Sequence, residues 1–327
     1  MNNIKKITGI IISILFVFLA FRNADFKNII SILKEIDFLF LTFPIILGCI
    51  GLVQKALRWY YIIKPIKKEK FMNLFSVMML GYLGNNFLPA RMGEFIRIYA
   101  LEKNYGHNKS QTLATIAIEK IFDVLALLCF FNIMLFFVPF PSWVKNGGIL
   151  LTFISLGVIL FLYLFTHNKG SAIKLLDFFI FPMSEKLIKK IKEILNNFNS
   201  GLKILKKKED LAIIAIHSLI IWMISFYNVH LVIKSFGLQL GLSAPIFLTI
   251  MLNLGMFIPS SPGYIGTYQF VCILALAPFG VNKELALSIS IVLHVLMLVI
   301  TTSIGMLCLW RENIKLSRIK SNHIQRQ

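Results

Sequence analysis

The chain has 327 residues, 57% of them hydrophobic and only 15% charged, with a mean hydropathy of +0.77. A soluble domain carries about 25% charged residues, so this composition excludes an ordinary water-soluble fold. The formal net charge of +19 raises nucleic-acid binding, but the lysines and arginines fall between apolar runs, as in membrane-protein loops, and form no nucleic-acid-binding signature.

The first apolar stretch runs from Ile7 to Phe21 behind Lys5 and Lys6. It resembles a signal peptide, yet Arg22 stands three residues before a cut after Ala24, and Phe18 before a cut after Ala20. Neither is small, so residues 4–21 are read as a retained first span. Further full spans are expected at 38–57, 111–138, 148–166, 211–233 and 285–309. Each is read as a helix, because a helix satisfies its own backbone in lipid, and each is long enough to approach the roughly 30 Å of hydrocarbon. Additional apolar stretches lie at 71–88, 242–258 and 264–280.

Loop charge sets the orientation. Segment 55–70 holds Lys55, Arg58, Lys64, Lys67, Lys68 and Lys70; segment 167–210 holds ten lysines; the tail holds Arg311, Lys315, Arg318, Lys320 and Arg326. The 139–147 connection carries only Lys145. The basic segments are expected in the cytoplasm, with both termini, and the 139–147 connection outside. Because 111–138 and 148–166 make one round trip, residues 71–109 must start and finish on the cytoplasmic side. Segment 71–101 is therefore expected to be a re-entrant hairpin turning near Pro89. Between spans 211–233 and 285–309, residues 242–280 must begin and end outside. Parity allows two full spans or a second hairpin broken at Pro259–Gly263, and the hairpin makes the halves related. Short, Pro/Gly-interrupted segments at matching places in two halves point to a transport site near the midplane. The fold class is all-α and polytopic: about six transmembrane helices plus two re-entrant hairpins in an inverted repeat. The single domain, 1–327, has halves of about 1–138 and 211–310. The linker at 167–210 contains a basic amphipathic stretch, 184–208, suited to an anionic leaflet or to a solvated linker helix.

Three polar constellations lie where polar groups are costly. In the first, Asn85 to Arg97, Pro89 breaks the helix and Gly93 permits close backbone approach. Arg91 and Glu94 share a face if the second leg is helical, and Arg97 follows one turn later. Arginine forks suit phosphate oxygens, so this segment either grips a lipid phosphate or forms a salt-bridge lock. In the second, Glu119-Lys120-x-x-Asp123, the two carboxylates face the same way. They would pair with Arg91 or Arg97, receive a cationic headgroup, or titrate as a proton relay. In the third, Pro259 to Gln269, one helix ends and another begins. Its free amides favour anions, with Ser260, Ser261, Thr267 and Gln269 adding neutral donors, unless the turn is only a kink.

His217, His230 and His294 sit singly in spans as interhelical hydrogen-bonding residues, and no Cys/His cluster fits zinc. Cys49, Cys129, Cys272 and Cys308 form no disulfide framework and read as small apolar residues. No phosphate-binding loop, nucleophile elbow or dinucleotide-binding glycine pattern is present. The sequence therefore calls for no cofactor, metal or catalytic residue.

The order Asn85-x(3)-Pro89-x-Arg91-x-Gly93-Glu94-x-x-Arg97 resembles the first signature of the flippase-like membrane domain of lysylphosphatidylglycerol synthases and their stand-alone relatives. Glu119-Lys120-x-x-Asp123 is similar to that family's acidic element, and Pro259-x-x-Pro262-Gly263-x-x-Gly266 to its late signature. The likeness implies a lipid translocase moving a phospholipid, an aminoacylated phospholipid or a lipid-linked glycan between leaflets of the cell membrane. It also implies that Arg91, Glu94, Arg97, Glu119, Asp123 and the Pro259–Gly266 turn matter. Gln269 stands where many relatives carry Glu, and Tyr264 where they carry a second Gly. Without a soluble aminoacyl-transferase domain, the chain is expected not to synthesise the lipid. The rival readings are a non-transporting partner of a separate synthase or glycosyltransferase, and a membrane-embedded lipid-modifying enzyme. Membrane lipids are the expected partners, nucleic acids are not, and a synthase partner or a homodimer fits either reading.

Overall fold

The computed structural model describes residues 13–88, 91–136, 138, 142–167, 208–256 and 261–312. The expected break points Pro89, Pro259 and Ser260, the amphipathic stretch up to residue 207, and the basic tail beyond Glu312 lie outside these residues. Every secondary-structure element among the described residues is helical. Residues 13–21 form the described part of α1. The other helices are α2 (Phe26–Lys34), α3 (Thr42–Ile63), α4 (Phe71–Phe87), α5 (Gly93–Tyr105), α6 (Lys109–Met134), α7 (Ser142–His167), α8 (Lys208–Ser235), α9 (Ser243–Gly255), α10 (Thr267–Leu276) and α11 (Lys283–Glu312). The stretches Thr42–Ile63, Glu209–Ser235, Pro262–Phe279 and Lys283–Glu312 are long and apolar enough to cross a membrane. α6 has the length of a span with 26 residues, but it carries Glu119, Lys120 and Asp123 near its middle.

The helix starts follow from local chemistry. Asp25 accepts from the amides of Lys27 and Asn28, capping α2. Asn108 accepts from Ser110 and Gln111, capping α6. Both satisfy amides that have no partner within the helix. One element was not expected: α2 is amphipathic and buries only Ile29, so its sequence lacks the long apolar run that announces a span.

The chain divides into two compact units. Unit 1 comprises Met1–Gln54, Met72–Ala100 and Ile221–Gln327. At its heart α4 buries Leu74, Val77, Met78, Met79, Leu80 and Leu83, as expected of a helix apolar on all sides. Here α9 packs on α10, α10 on α11, and α11 on α2. A smaller core joins Ala20, Ile29 and Leu287 with Phe270 and Ile273 around them. Asn228 of α8 donates to the Pro44 carbonyl at 2.6 Å, tying α8 to the first turn of α3.

Unit 2 comprises Lys55–Phe71 and Leu101–Ile220. Within it α6 packs on α7. A Cβ on Gly148 would collide with the ring of Phe131, and Asn132 donates to Thr152 at 2.9 Å. Trp59 donates its indole N–H to Thr115 at 3.1 Å, tying α3 to α6. Of the free cysteines, Cys272 and Cys308 are buried as expected, whereas Cys129 is exposed.

Candidate functional site

The first constellation is built on a glycine-lined contact. α4 carries Gly81 and Gly84, and α5 begins at Gly93. A Cβ on Gly81 would lie 2.5 Å from Cγ of Arg97, and one on Gly93 would collide with the Gly81 carbonyl oxygen. The missing side chains let α4 and α5 touch backbone to backbone and leave a groove for the Arg97 stem. Asn85 Oδ1 accepts from the Gly93 amide at 2.8 Å, holding the start of α5 to the end of α4. Arg97 is 3% exposed, and its guanidinium donates to Glu94 at 3.2 Å.

Arg91 lies one step outside this helix. It stands in the turn before α5 with φ +53°, a left-handed value, as does Tyr264 at +62°. Among the described residues only Asn23 shares this feature outside glycine. Such values cost on the order of 1–3 kcal/mol each and persist where surroundings enforce them. The face shared by Arg91 and Glu94, expected for a helical second leg, does not arise, because α5 starts at Gly93. Glu94 instead holds Arg97.

The third constellation meets the first within unit 1. The Arg91 guanidinium sits 6.0 Å from the ring centroid of Tyr264. A Cβ on Gly263 would lie 3.4 Å from the Asn86 carbonyl oxygen. Asn86 donates to Thr301 and Thr302 of α11 at 2.9 and 3.0 Å. Gly263 and Gly266 take φ of +67° and +87°, values open to glycine at little cost. Pro262 opens a single helical turn, Pro262–Tyr264, before α10 begins at Thr267.

A buried relay fixes this turn. Gln269 Oε1 accepts from the Gly266 amide at 2.8 Å. Its Nε2 lies 3.0 Å from Nδ1 of His294, whose Nε2 lies 2.6 Å from the Gly263 carbonyl oxygen. A carbonyl only accepts, so Nε2 carries the proton, Nδ1 accepts from the Gln269 amide, and the ring is neutral. Tyr268 stacks on His294 at 4.6 Å. Ser13 Oγ of α1 accepts from the Ser261 amide at 2.6 Å. The sequence flagged Gln269 but not its link to His294, because the two are 25 positions apart.

The second constellation belongs to unit 2, where its partner is one that sequence reasoning placed in a basic loop. α3 runs six residues past the expected end of its span, to Ile63, and carries Arg58 inside the protein at 0% exposure. Arg58 Nη1 donates to Asp123 at 2.7 Å and to Ser218 at 2.9 Å, and its Nη2 lies 4.0 Å from Glu119. Lys120 Nζ is 3.7 Å from the same Glu119 oxygen. The signal was in the sequence: Trp59 to Ile63 continue the apolar run beyond Arg58.

At the end of this unit, Lys67 donates to the Tyr105 and Gly106 carbonyls at 2.6 and 3.2 Å, closing the C-terminus of α5. His107 lies 3.5 Å from Glu69. Burial, then the Lys67 charge, pull its pKa below the ordinary imidazole value, against the opposing pull of Glu69.

The family model for the lysylphosphatidylglycerol synthase TM region matches residues 6–305. The chain belongs to this family. Similar proteins include a UPF0104 membrane protein of Pyrococcus horikoshii, 22% identical over 92% of this chain and 95% of its own length. Another UPF0104 membrane protein, from Methanothermobacter thermautotrophicus, is 22% identical over 80% of this chain and 81% of its own length. A third, from Methanocaldococcus jannaschii, is 28% identical over 58% of this chain and 76% of its own length. Membership and the apolar helices together make this a multi-pass membrane protein of the synthase TM-region family, and the three constellations all fall inside the matched residues.

Proposed function

We propose that this protein moves a polar, phosphate-bearing lipid between the leaflets of the cell membrane, with both termini in the cytoplasm. The supporting observation is the meeting, within unit 1, of two interrupted helix pairs at their break points, where Arg91 faces Tyr264. α4 and α5 have 17 and 13 residues, and α9 and α10 have 13 and 10. At 1.5 Å per residue α4 is about 26 Å and α5 and α9 about 20 Å, each short of the ~30 Å hydrocarbon core, while α10 is the inner part of the Pro262–Phe279 stretch, whose start is broken by positive φ at Gly263 and Gly266. A pair that turns inside the bilayer returns to its own side. Two such pairs entering from opposite faces would touch near the midplane, and break points in contact fit that arrangement.

The chemistry of the meeting point suits a headgroup. Arg91 and Arg97 present guanidinium forks for phosphate oxygens, and Glu94 keeps Arg97 aimed by the bond at 3.2 Å. Asn86, Thr301 and Thr302 add neutral groups beside them. An aminoacylated phospholipid, the product of the synthases that name the family, and a lipid-linked glycan share the phosphate this arrangement would recognise.

The test is transbilayer movement of a fluorescent phospholipid in proteoliposomes. Arg91→Ala and Glu94→Ala are expected to abolish movement while inserting like the wild type. Wild-type rates in both variants would refute the assignment.

A further inference from the structure

Lipid recognition at Arg91 and Tyr264 makes no use of α2. Nine residues give this helix a length of about 14 Å, far short of a span, yet it shows large apolar side chains on its surface. At about 3.6 residues per turn, Ile32, Ile29 and Leu33 form one arc of the helix and Phe26 and Ile30 the next. Lys34 and Lys27 follow, and Ser31 and Asn28 complete the circle. The first arc faces the protein: Ile29 is buried with Ala20 of α1 and Leu287 of α11, and Leu33 packs against them. Phe26 and Ile30 are 58% and 53% exposed, and Lys27, Asn28, Ser31 and Lys34 are exposed as well. In the turn that follows, Phe38 and Leu39 are exposed too.

Three span ends bracket α2 within unit 1. Before it, Lys283 at the start of α11 donates to the carbonyls of Leu19 and Arg22 at the end of α1. After it, the Asp37 amide donates to the carbonyl of Ser235, the last residue of α8, at 3.3 Å. The depth of α2 follows from α11. The 30 residues of α11 measure about 45 Å, the thickness of a bilayer with its headgroups, of which hydrocarbon takes about 30 Å. Lys283 and Glu284 stand at one end and Arg311 and Glu312 at the other, so an upright α11 leaves about 7 Å of each end among headgroups. Leu287, four residues from the start, lies about 6 Å in. Ile29, packed on Leu287, is therefore where headgroups give way to hydrocarbon.

We infer that α2 is an interface helix whose exposed edge docks on the phospholipid surface at this end of unit 1. Phe26 and Ile30 enter the outermost acyl carbons, Lys27 and Lys34 reach phosphate oxygens, and Asn28 and Ser31 face water. The order around the helix is the order of zones met on leaving the hydrocarbon: apolar, phosphate, water. The two lysines are seven residues apart, two turns along one side, so both border the same apolar edge. Phe270 and Ile273 of α10 pack on the core that holds Ile29, so α2 anchored in this way sets the depth of the α10–α11 pair. The inference stands apart from the translocase reading and holds even for a chain that moves no lipid.

The experiment uses the full chain carrying Cys49→Ala and Cys129→Ser, with the buried Cys272 and Cys308 kept, in vesicles of phosphatidylcholine and phosphatidylglycerol. A nitroxide is attached to Phe26→Cys, Asn28→Cys, Ile30→Cys or Ser31→Cys, one at a time, all at exposed positions. Labels at 26 and 30 are expected to meet oxygen, which concentrates in hydrocarbon, several times more than a water-soluble nickel chelate, and labels at 28 and 31 the reverse. A preference for the chelate at all four positions overturns the inference. Shielding of 26 and 30 from both reagents, or dipolar broadening between labels on two copies, overturns it as well, because a protein then covers the edge. Charge reversal in Lys27→Glu/Lys34→Glu is expected to lower the oxygen preference of the label at 30, and an unchanged preference overturns the phosphate contact.

Discussion

A methyl group on Gly93 would collide with the Gly81 carbonyl oxygen, and one on Gly81 would lie 2.5 Å from the Arg97 stem. Backbone cannot yield as a flexible side chain does, so Gly93→Ala is expected to destabilise by about 2 kcal/mol or more through overpacking. A lowered melting temperature in detergent would show this, while Gly157→Ala, where nothing lies within 4 Å, should leave it unchanged. Arg58 offers a second check. Removing the guanidinium in Arg58→Ala takes from Asp123 its partner at 2.7 Å. Breaking a buried pair this way costs about 3–5 kcal/mol. Replacing Asp123 as well, in Arg58→Ala/Asp123→Asn, should recover part of the loss, which a double-mutant cycle measures. His107 belongs to the same scale. Its pKa is lowered by burial and by Lys67, so the folded protein binds fewer protons there than the unfolded chain. Its contribution to stability is then complete above about 6.5, the ordinary imidazole value, and is lost as pH falls from there toward the lowered value. The wild-type melting temperature should fall with acidification below that pH, and His107→Asn should flatten the slope.

At the scale of elements, the turn before α10 is held by side chains rather than by a cap. Gly266 caps α10 with no side chain of its own, and Gln269 satisfies its amide from within the helix. His294 of α11 then holds both Gln269 and the Gly263 carbonyl. His294→Ala removes the centre of this relay and leaves buried polar groups unmatched, which costs about 1–3 kcal/mol. The expected readout is faster hydrogen exchange at residues 263–269, with α6 unaffected because it lies in unit 2. The α4–α5 pair was legible for a related reason: Asn85, Arg91, Gly93, Glu94 and Arg97 are close in sequence, so their spacing already implied a break followed by a helix. What spacing misjudged was where the second helix starts. Arg91 falls in the turn, because the chain must reverse before Gly93 can pack on α4.

For the whole molecule, parity of loop charges called for a re-entrant pair at 71–101, and the relation between the halves favoured a second at 242–280 that enters from the opposite face. Cysteine labelling tests that claim directly. Single cysteines introduced at Lys68 and Lys145 are expected to react with membrane-impermeant reagents from opposite sides of intact cells. Reaction of both from one side would remove the parity on which the hairpins rest. The count of full spans depends on the same parity, since α6 is long enough to cross yet carries three charged residues near its middle.

The sequence by itself determined that the chain is helical, multi-pass and a member of the lysylphosphatidylglycerol synthase TM-region family, and where its polar segments lie. Those properties follow from hydropathy and short-range spacing, which are local along the chain. Only the tertiary structure decided which polar groups meet: Arg91 with Tyr264, His294 with Gln269 and Gly263, and Arg58 with Asp123 and Ser218. These pairs are separated by 25 to 173 positions, with Gln269–His294 the nearest and Arg91–Tyr264 the farthest. A buried charge takes whichever counter-charge packing brings to it, and packing is set by glycine contacts and helix ends that hydropathy does not record.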